Sequence, residues 1–417
     1  MVARFLNPGT AMPAPGNDQK ELCVAMIIRD FLNWVSTAPD GPRAEAAGAL
    51  ARAWLYSDMP DGEREGAAIA LTLLLDDPCI NVRQALAENL ARSEAAPVHV
   101  IRSLAGDLDE VAEPVLARSP VLGDMELVDL AANGSDRVQS AIARRPFPSA
   151  AVCAALCEIG SAAACTILLD NPTSRILVSG LNRLGERFAS CAAIRERLLK
   201  RADTPLILRH DLLQGLAVDY HNVLEEGELP GGTTPSSRCD DASDRVILRL
   251  AAVAGDNEMR AFVQHLRDRA KLNTRLLLRA VCCGRLRFFA SALSLLGKVP
   301  EQRLRETLST IRPSVLQAVL RKAGLPMRAH SAFLMVINLI QRENCDFRDD
   351  LPCSTTRRLT EELLHELQDE SLGADLDVLA FVRQFAAEAA RLEARAYVVE
   401  LCRPALAAPG DQGRAAA

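Results

Sequence analysis

Apolar residues recur at three- and four-residue steps along most of the chain, the spacing that lines one face of an α-helix. Four blocks share it, at residues 82–89, 111–118, 138–145 and 164–171, and their starts lie 29, 27 and 26 residues apart. Each is followed by a proline-containing break (Pro97, Pro120, Pro146 with Pro148, Pro172) and a second apolar-periodic stretch, at 98–105, 125–131, 150–157 and 174–181. A short helix cannot cover its apolar face alone, so the pattern predicts helical hairpins that stack into an α-solenoid. Polar turns holding Asp76, Asp77, Asp107, Asp109 and Asp136 come before three of the blocks, where a carboxylate can accept hydrogen bonds from the first free amides of a helix. Pro114 falls inside the second block, which predicts a late helix start near Ala112 or Glu113, so that the missing donor is unpaired anyway.

Further helices are expected at 21–35, 43–56 and 63–75, capping the first end, and at 192–201 and 206–218. From 225 to 244 the periodicity stops, in an acidic run rich in Gly, Pro and Ser that reads as a flexible linker. Helical periodicity resumes at 245–345, then at 355–370 and 377–402. Val378, Phe381, Phe385, Ala389, Leu392 and Ala396 share one face of the last stretch, which reads as a core or capping helix ahead of an oligomerisation helix. The expected organisation is a flexible N-terminus (1–20), a HEAT-like helical domain (21–224), an acidic linker (225–244), a helical C-terminal domain (245–402) and a disordered tail (403–417).

Composition sharpens this picture. Of 417 residues, 4% are aromatic and 49% hydrophobic, so a core must be built from Ala, Leu and Val, material suited to closely approaching short helices. The net charge of −6 conceals a segregation. Residues 245–345 hold 18 Arg or Lys against six acids, a net of +12, which leaves −18 for the remainder. The 12 cysteines are scattered through apolar patterns, as suits a reducing compartment. No run has the length of a membrane span, and the prolines at 8, 13 and 15 interrupt any signal-peptide core. A cytoplasmic protein is expected.

The residue patterns resemble an uncharacterised helical-repeat domain family of alphaproteobacteria, related in pattern to HEAT-like repeats. The resemblance covers roughly residues 40–340. It is carried by Val82-Arg83 with Leu86-Ala87-Glu88, by Val111-Ala112-Glu113-Pro114-Val115-Leu116 with Ser119-Pro120-Val121-Leu122, and by Ala141-Ile142-Ala143-Arg144-Arg145. Leu278-Arg279-Ala280 continues it through Gly284, Leu286, Phe288 and Phe289 to Ala323-Gly324-Leu325-Pro326. It implies an all-helical solenoid with no established catalysis. The family pattern commonly has an acid after the glycine and another after the paired phenylalanines; here Arg285 and Ala290 stand instead.

Candidate chemistry is thin. Cys153, Cys157 and Cys165 have no second paired motif or nearby histidine and read as small apolar contacts ahead of zinc ligands. Cys282 and Cys283, being adjacent, point to different helix faces. Glu362 and His365 have the spacing of di-metal bundles without the second copy such a site needs. The pairs in Arg209-His210-Asp211 and Asp219-Tyr220-His221 lack a nucleophile motif, and Gly231-Gly232-Thr233-Thr234 lacks the lysine of a phosphate loop. Arg83 is placed for a ladder to Asp76 or Asp77. No catalytic, cofactor-binding or metal residue is assigned. The feature expected to bind a partner is the basic cluster Arg267, Lys271, Arg275, Arg279, Arg285 and Arg287, joined by Arg269, in which pairs four apart share a helix face. An acidic protein, or the chain's own acidic segments, would satisfy it. Nucleic acid would as well, though Phe262, Phe288 and Phe289 are the only aromatics nearby and the pair reads as inward-facing.

The fold expectation is therefore all-α, a HEAT-like α-solenoid of helical hairpins followed by a second, basic helical region. The functional expectation is a non-enzymatic cytosolic adapter or regulator presenting a helical surface to a protein partner. The alternatives are a nucleic-acid-binding solenoid using 245–345 and an enzyme on a helical scaffold, the latter requiring His210, Asp211 and Asp219 to meet in one pocket.

Overall fold

The computed structural model describes residues 30–31, 33–35, 37–225, 235–310, 313–342, 351–369 and 376–401. The expected N-terminal segment, most of the helix at 21–35 and the tail at 403–417 lie outside the described residues. Among those described the fold is all-α, without strands, and no helix is long and apolar enough to cross a membrane. The chain forms two compact units, residues 1–205 and 206–417.

The first unit comprises α1 (Asp40–Tyr56), α2 (Asp61–Leu73), α3 (Ile80–Leu90), α4 (Val98–Ala105), α5 (Asp109–Arg118), α6 (Asp124–Asn133), α7 (Asp136–Ala143), α8 (Ala150–Ile159), α9 (Ala162–Asp170), α10 (Val178–Arg187) and α11 (Ala192–Lys200). The four sequence blocks are α3, α5, α7 and α9. Helix α1 packs on α3, α3 on α5, α5 on α7, α7 on α9 and α9 on α11, while α6 packs on α8 and α8 on α10. The helices thus alternate between two rows, a solenoid-like stack of hairpins. Small residues let the rows close up. A Cβ at Gly180 of α10 would stand 3.1 Å from Cys157 Sγ of α8, closer than ordinary packing permits.

One expectation about helix starts is corrected and the other holds in part. Helix α5 begins at Asp109 and contains Pro114 in its interior. Pro114 and Glu110, whose carbonyl lacks its usual partner, lie on the less buried side, while Val111, Ala112, Val115 and Leu116 face the core. Asp77 and Asp107 accept the amides of Cys79 and Leu108 at the starts of α3 and α5, whereas the caps of α7, α8 and α9 are serines: Ser135, Ser149 and Ser161 accept from the amides of Val138, Val152 and Ala164. Asp107 also holds Arg83, which bonds both its carboxylate oxygens at 2.6 and 3.1 Å.

The row contacts are pinned by side chains that reach the carbonyls ending the preceding helix. Arg145 donates to Leu116 O and Ser119 O, Arg187 to Cys157 O and Gly160 O, and Arg201 to Leu169 O and Ser174 O. Asn171 does the same for Ala143 O and Arg145 O. The last four carbonyls of a helix have no internal partner, and a guanidinium carries enough donors to satisfy two at once.

The second unit comprises α12 (Leu206–Glu225), α13 (Pro235–Val253), α14 (Asp256–Asp268), α15 (Thr274–Cys282), α16 (Leu286–Gly297), α17 (Glu301–Thr310), α18 (Pro313–Lys322), α19 (His330–Arg342), α20 (Cys353–Asp369) and α21 (Leu376–Leu401). Its centre is α15, every residue of which from Leu276 to Cys282 is buried and against which α13, α16, α19, α20 and α21 pack. Phe289 stacks on Phe333 at 5.4 Å in the same core. Gly284 turns the chain out of α15 at φ +75, where a Cβ would also strike Leu351.

The boundary expected near residue 225 moves to 205/206, because α12 packs on α13 and α14. Of the expected linker, 226–234 lies outside the described residues and 235–244 is the first half of α13. Two of its acids, Asp241 and Asp244, are used internally.

Candidate functional site

Arg279 lies on the all-buried helix α15 and is only 1% exposed, a charge carried into the core. Helix α13 supplies Asp241 and Asp244, and α21 supplies Glu388. Arg279 bonds the Asp241 carbonyl at 3.1 Å, stands 3.4 Å from the Asp241 carboxylate and 3.8 Å from that of Asp244, and pairs directly with Glu388. Arg275, one turn earlier, pairs with Asp241 and reaches Asp244 at 3.6 Å. Gln384 adds a bond to the other Asp241 oxygen at 2.5 Å. The two guanidinium groups lie over the rings of Phe381 and Phe385, 5.3 and 4.9 Å from their centroids. Burial pushes the Asp244 carboxyl up to about 6 against the pull of Arg279 and Arg275.

This network closes the acidic segment onto the basic one, the self-contact considered from the sequence. It also corrects the placement of two members of the proposed partner surface. Arg279 is buried, and Arg275 is held by α13. The remaining members scatter. Arg287 bonds Asp256 at 2.7 Å, and Arg267 is exposed and bridges to its neighbour Asp268. Lys271 is half-buried after α14. Arg285 joins Arg245, Arg249, Arg279 and Glu388 around a cavity of about 220 Å³. The cluster that is contiguous in sequence does not form one exposed face. The face of α21 that covers α15 and α20 ends near Leu392; Ala396 is exposed, as are Tyr397, Val398, Val399 and Leu401.

The other sequence candidates resolve by burial. Cys153, Cys157 and Cys165 are buried thiols; Cys165 donates weakly to Leu156 O and Gly160 O, and burial pushes Cys157 up to about 12 and Cys165 up to about 11. Arg83 bonds the Asp77 carbonyl, but its carboxylate partner is Asp107 of the following turn, while Asp77 takes Arg43. His365 of α20 is exposed. The side chains of Asp219 and His221 and the glycine run at 231–232 lie outside the described residues. His210 and Asp211 do meet a partner the sequence reading missed, His265 of α14, whose Nε2 is 3.0 Å from Asp211 Oδ1. That pair is 54 positions apart and joined only by the packing of α12 on α14, so no local spacing announces it.

One exposed feature recurs in the first unit. The row α4, α6, α8, α10 carries an exposed apolar residue at or just before each helix start: Val98, Met125, Phe147 and, in the last, Leu177 with Val178. Phe147 is 78% exposed and holds a positive φ of 53°, with its amide tied to Thr173 Oγ1 at 2.9 Å.

A family profile described as an uncharacterised protein conserved in bacteria (DUF2336) matches residues 111–373. No curated protein matches the chain.

Proposed function

The chain belongs to the DUF2336 family of uncharacterised proteins conserved in bacteria, and from that premise we propose that it is a non-enzymatic interaction protein. In this reading the first unit is a HEAT-like solenoid of an alphaproteobacterial cytosolic adapter or regulator, and its apolar row edge receives a protein partner. Phe147 carries the reading. A bulky residue at positive φ is costly, and strain of this kind is retained where the surroundings hold it for a purpose. Here the strain presents an aromatic ring to solvent, Met125 of the same row is 75% exposed, and aromatic and methionine side chains are enriched at protein interfaces. Internal pairing of Arg275 and Arg279 lends more weight to a protein partner than to a phosphate backbone, which is held by exposed cations.

The reading is tested by placing a photo-crosslinking side chain at position 147 and, as a control, at Tyr56, which is as exposed but lies outside that row. The expected result is one protein joined reproducibly through position 147 in the native cytosol, competed by unlabelled wild type and not by a Met125→Ser, Phe147→Ser variant. Equal labelling from both positions removes the proposal.

A further inference from the structure

We propose that His210, Asp211 and His265 bind a divalent transition-metal ion of the zinc type through two imidazole nitrogens and one carboxylate oxygen. The three side chains come from the facing helices α12 and α14, and their candidate ligand atoms all lie within 4.8 Å of one another. Tetrahedral zinc with bonds of about 2.0–2.1 Å needs ligand atoms roughly 3.3–3.5 Å apart. His265 Nε2 and Asp211 Oδ1 are 3.0 Å apart, and His210 Nδ1 and the same oxygen 3.5 Å, so small rotations of the outer two groups close the set.

His210 is what distinguishes this cluster from an ordinary surface ion pair. It is 1% exposed, and neither ring nitrogen has a hydrogen-bond partner. A buried polar group without a partner costs stability, and an ion between α12 and α14 would supply one. Phe262 lies edge-on to the ring at 5.6 Å and His265 at 5.4 Å. The ring therefore has one apolar wall, and its polar neighbours are Asp211 and His265. Arg269 lies 3.4 Å from the second oxygen of Asp211 and is itself well exposed. It orients the carboxylate from outside, as partners of metal ligands commonly do, and its own charge is screened by water. Asp211 is a third exposed, so three protein ligands leave a fourth position open to water.

The experiment uses the full chain, stripped with a chelator, dialysed and titrated with Co²⁺ and then Zn²⁺. The expected result is one equivalent of Co²⁺ taken up with a visible spectrum of nitrogen and oxygen ligation, lacking the thiolate charge-transfer band that any of the 12 cysteines would give. Zn²⁺ should displace it and raise the unfolding temperature. His265→Gln and, separately, Asp211→Asn should each weaken uptake at least tenfold; both positions reach solvent, and circular dichroism verifies that the variants remain folded. Uptake through thiolate ligands, no uptake, or uptake unchanged in both variants would each overturn the site.

Discussion

His210 and Asp244 are the two titratable groups that burial displaces furthest in the second unit while leaving them in an accessible pH range, and their effects on stability oppose each other. The His210 ring falls to about 4 from an ordinary 6.5. The unfolded chain then binds the extra proton, and the stability His210 contributes is complete above pH 6.5 and lost as pH falls through about 4, roughly 3 kcal/mol in all. Asp244 rises to about 6 from 3.8. Here the folded chain binds the extra proton, so its contribution is present below pH 3.8 and is lost as pH rises through 6, by a similar amount. Between pH 4 and 6 the two slopes have opposite signs. Asp244→Asn removes only the falling one. Urea unfolding of the chelator-treated protein across that window should show a shallow pH dependence in wild type and a clear rise with pH in the variant; parallel profiles would refute the opposition.

At the scale of elements, hairpin positions were legible because a 3.6-residue period survives any tertiary context that buries one face. Helices α3, α5, α7 and α9 coincide with the repeated blocks to within a few residues. What joins the hairpins was not legible. Arg145, Arg187 and Arg201 look like ordinary solvated charges at helix ends, and only folding reveals the carbonyls they reach. The same holds for the acidic first half of α13, which reads as linker until Asp241 and Asp244 are seen to pair with Arg275 and Arg279, and for His265, which no motif links to Asp211. Arg187 isolates the effect. It donates to Cys157 O at 2.7 Å and Gly160 O at 2.8 Å, satisfying the end of α8 from α10. A lysine keeps the charge but cannot span two carbonyls with a planar fork. Arg187→Lys is expected to cost about 1–3 kcal/mol, the penalty of a stranded acceptor, and to speed amide exchange at the C-terminal turn of α8 ahead of the other helices. Uniform exchange behaviour would show that the clasp is redundant.

Among the described residues, buried apolar side chains run through the stacked hairpins up to Leu198, and in the second unit they form a core from Leu206 to Phe385 around α15. The DUF2336 match begins in α5 and ends beyond α20, so the family draws on both units. Charge segregation, legible from composition as −18 against +12, resolves here into a bond within the second unit: Asp241, Asp244 and Glu388 close around Arg279. Each compact unit has its own buried side chains and is expected to unfold as its own cooperative step. Arg279→Met is the sharpest probe. Removing one partner of a buried charge set strands the others and costs about 3–5 kcal/mol, well beyond the loss of a surface pair. Calorimetry of the full chain should therefore resolve two transitions in wild type. In the variant only the one belonging to residues 206–417 should move down, as identified by the same shift in a fragment of those residues. A single transition that moves as a whole would mean that the two units unfold as one.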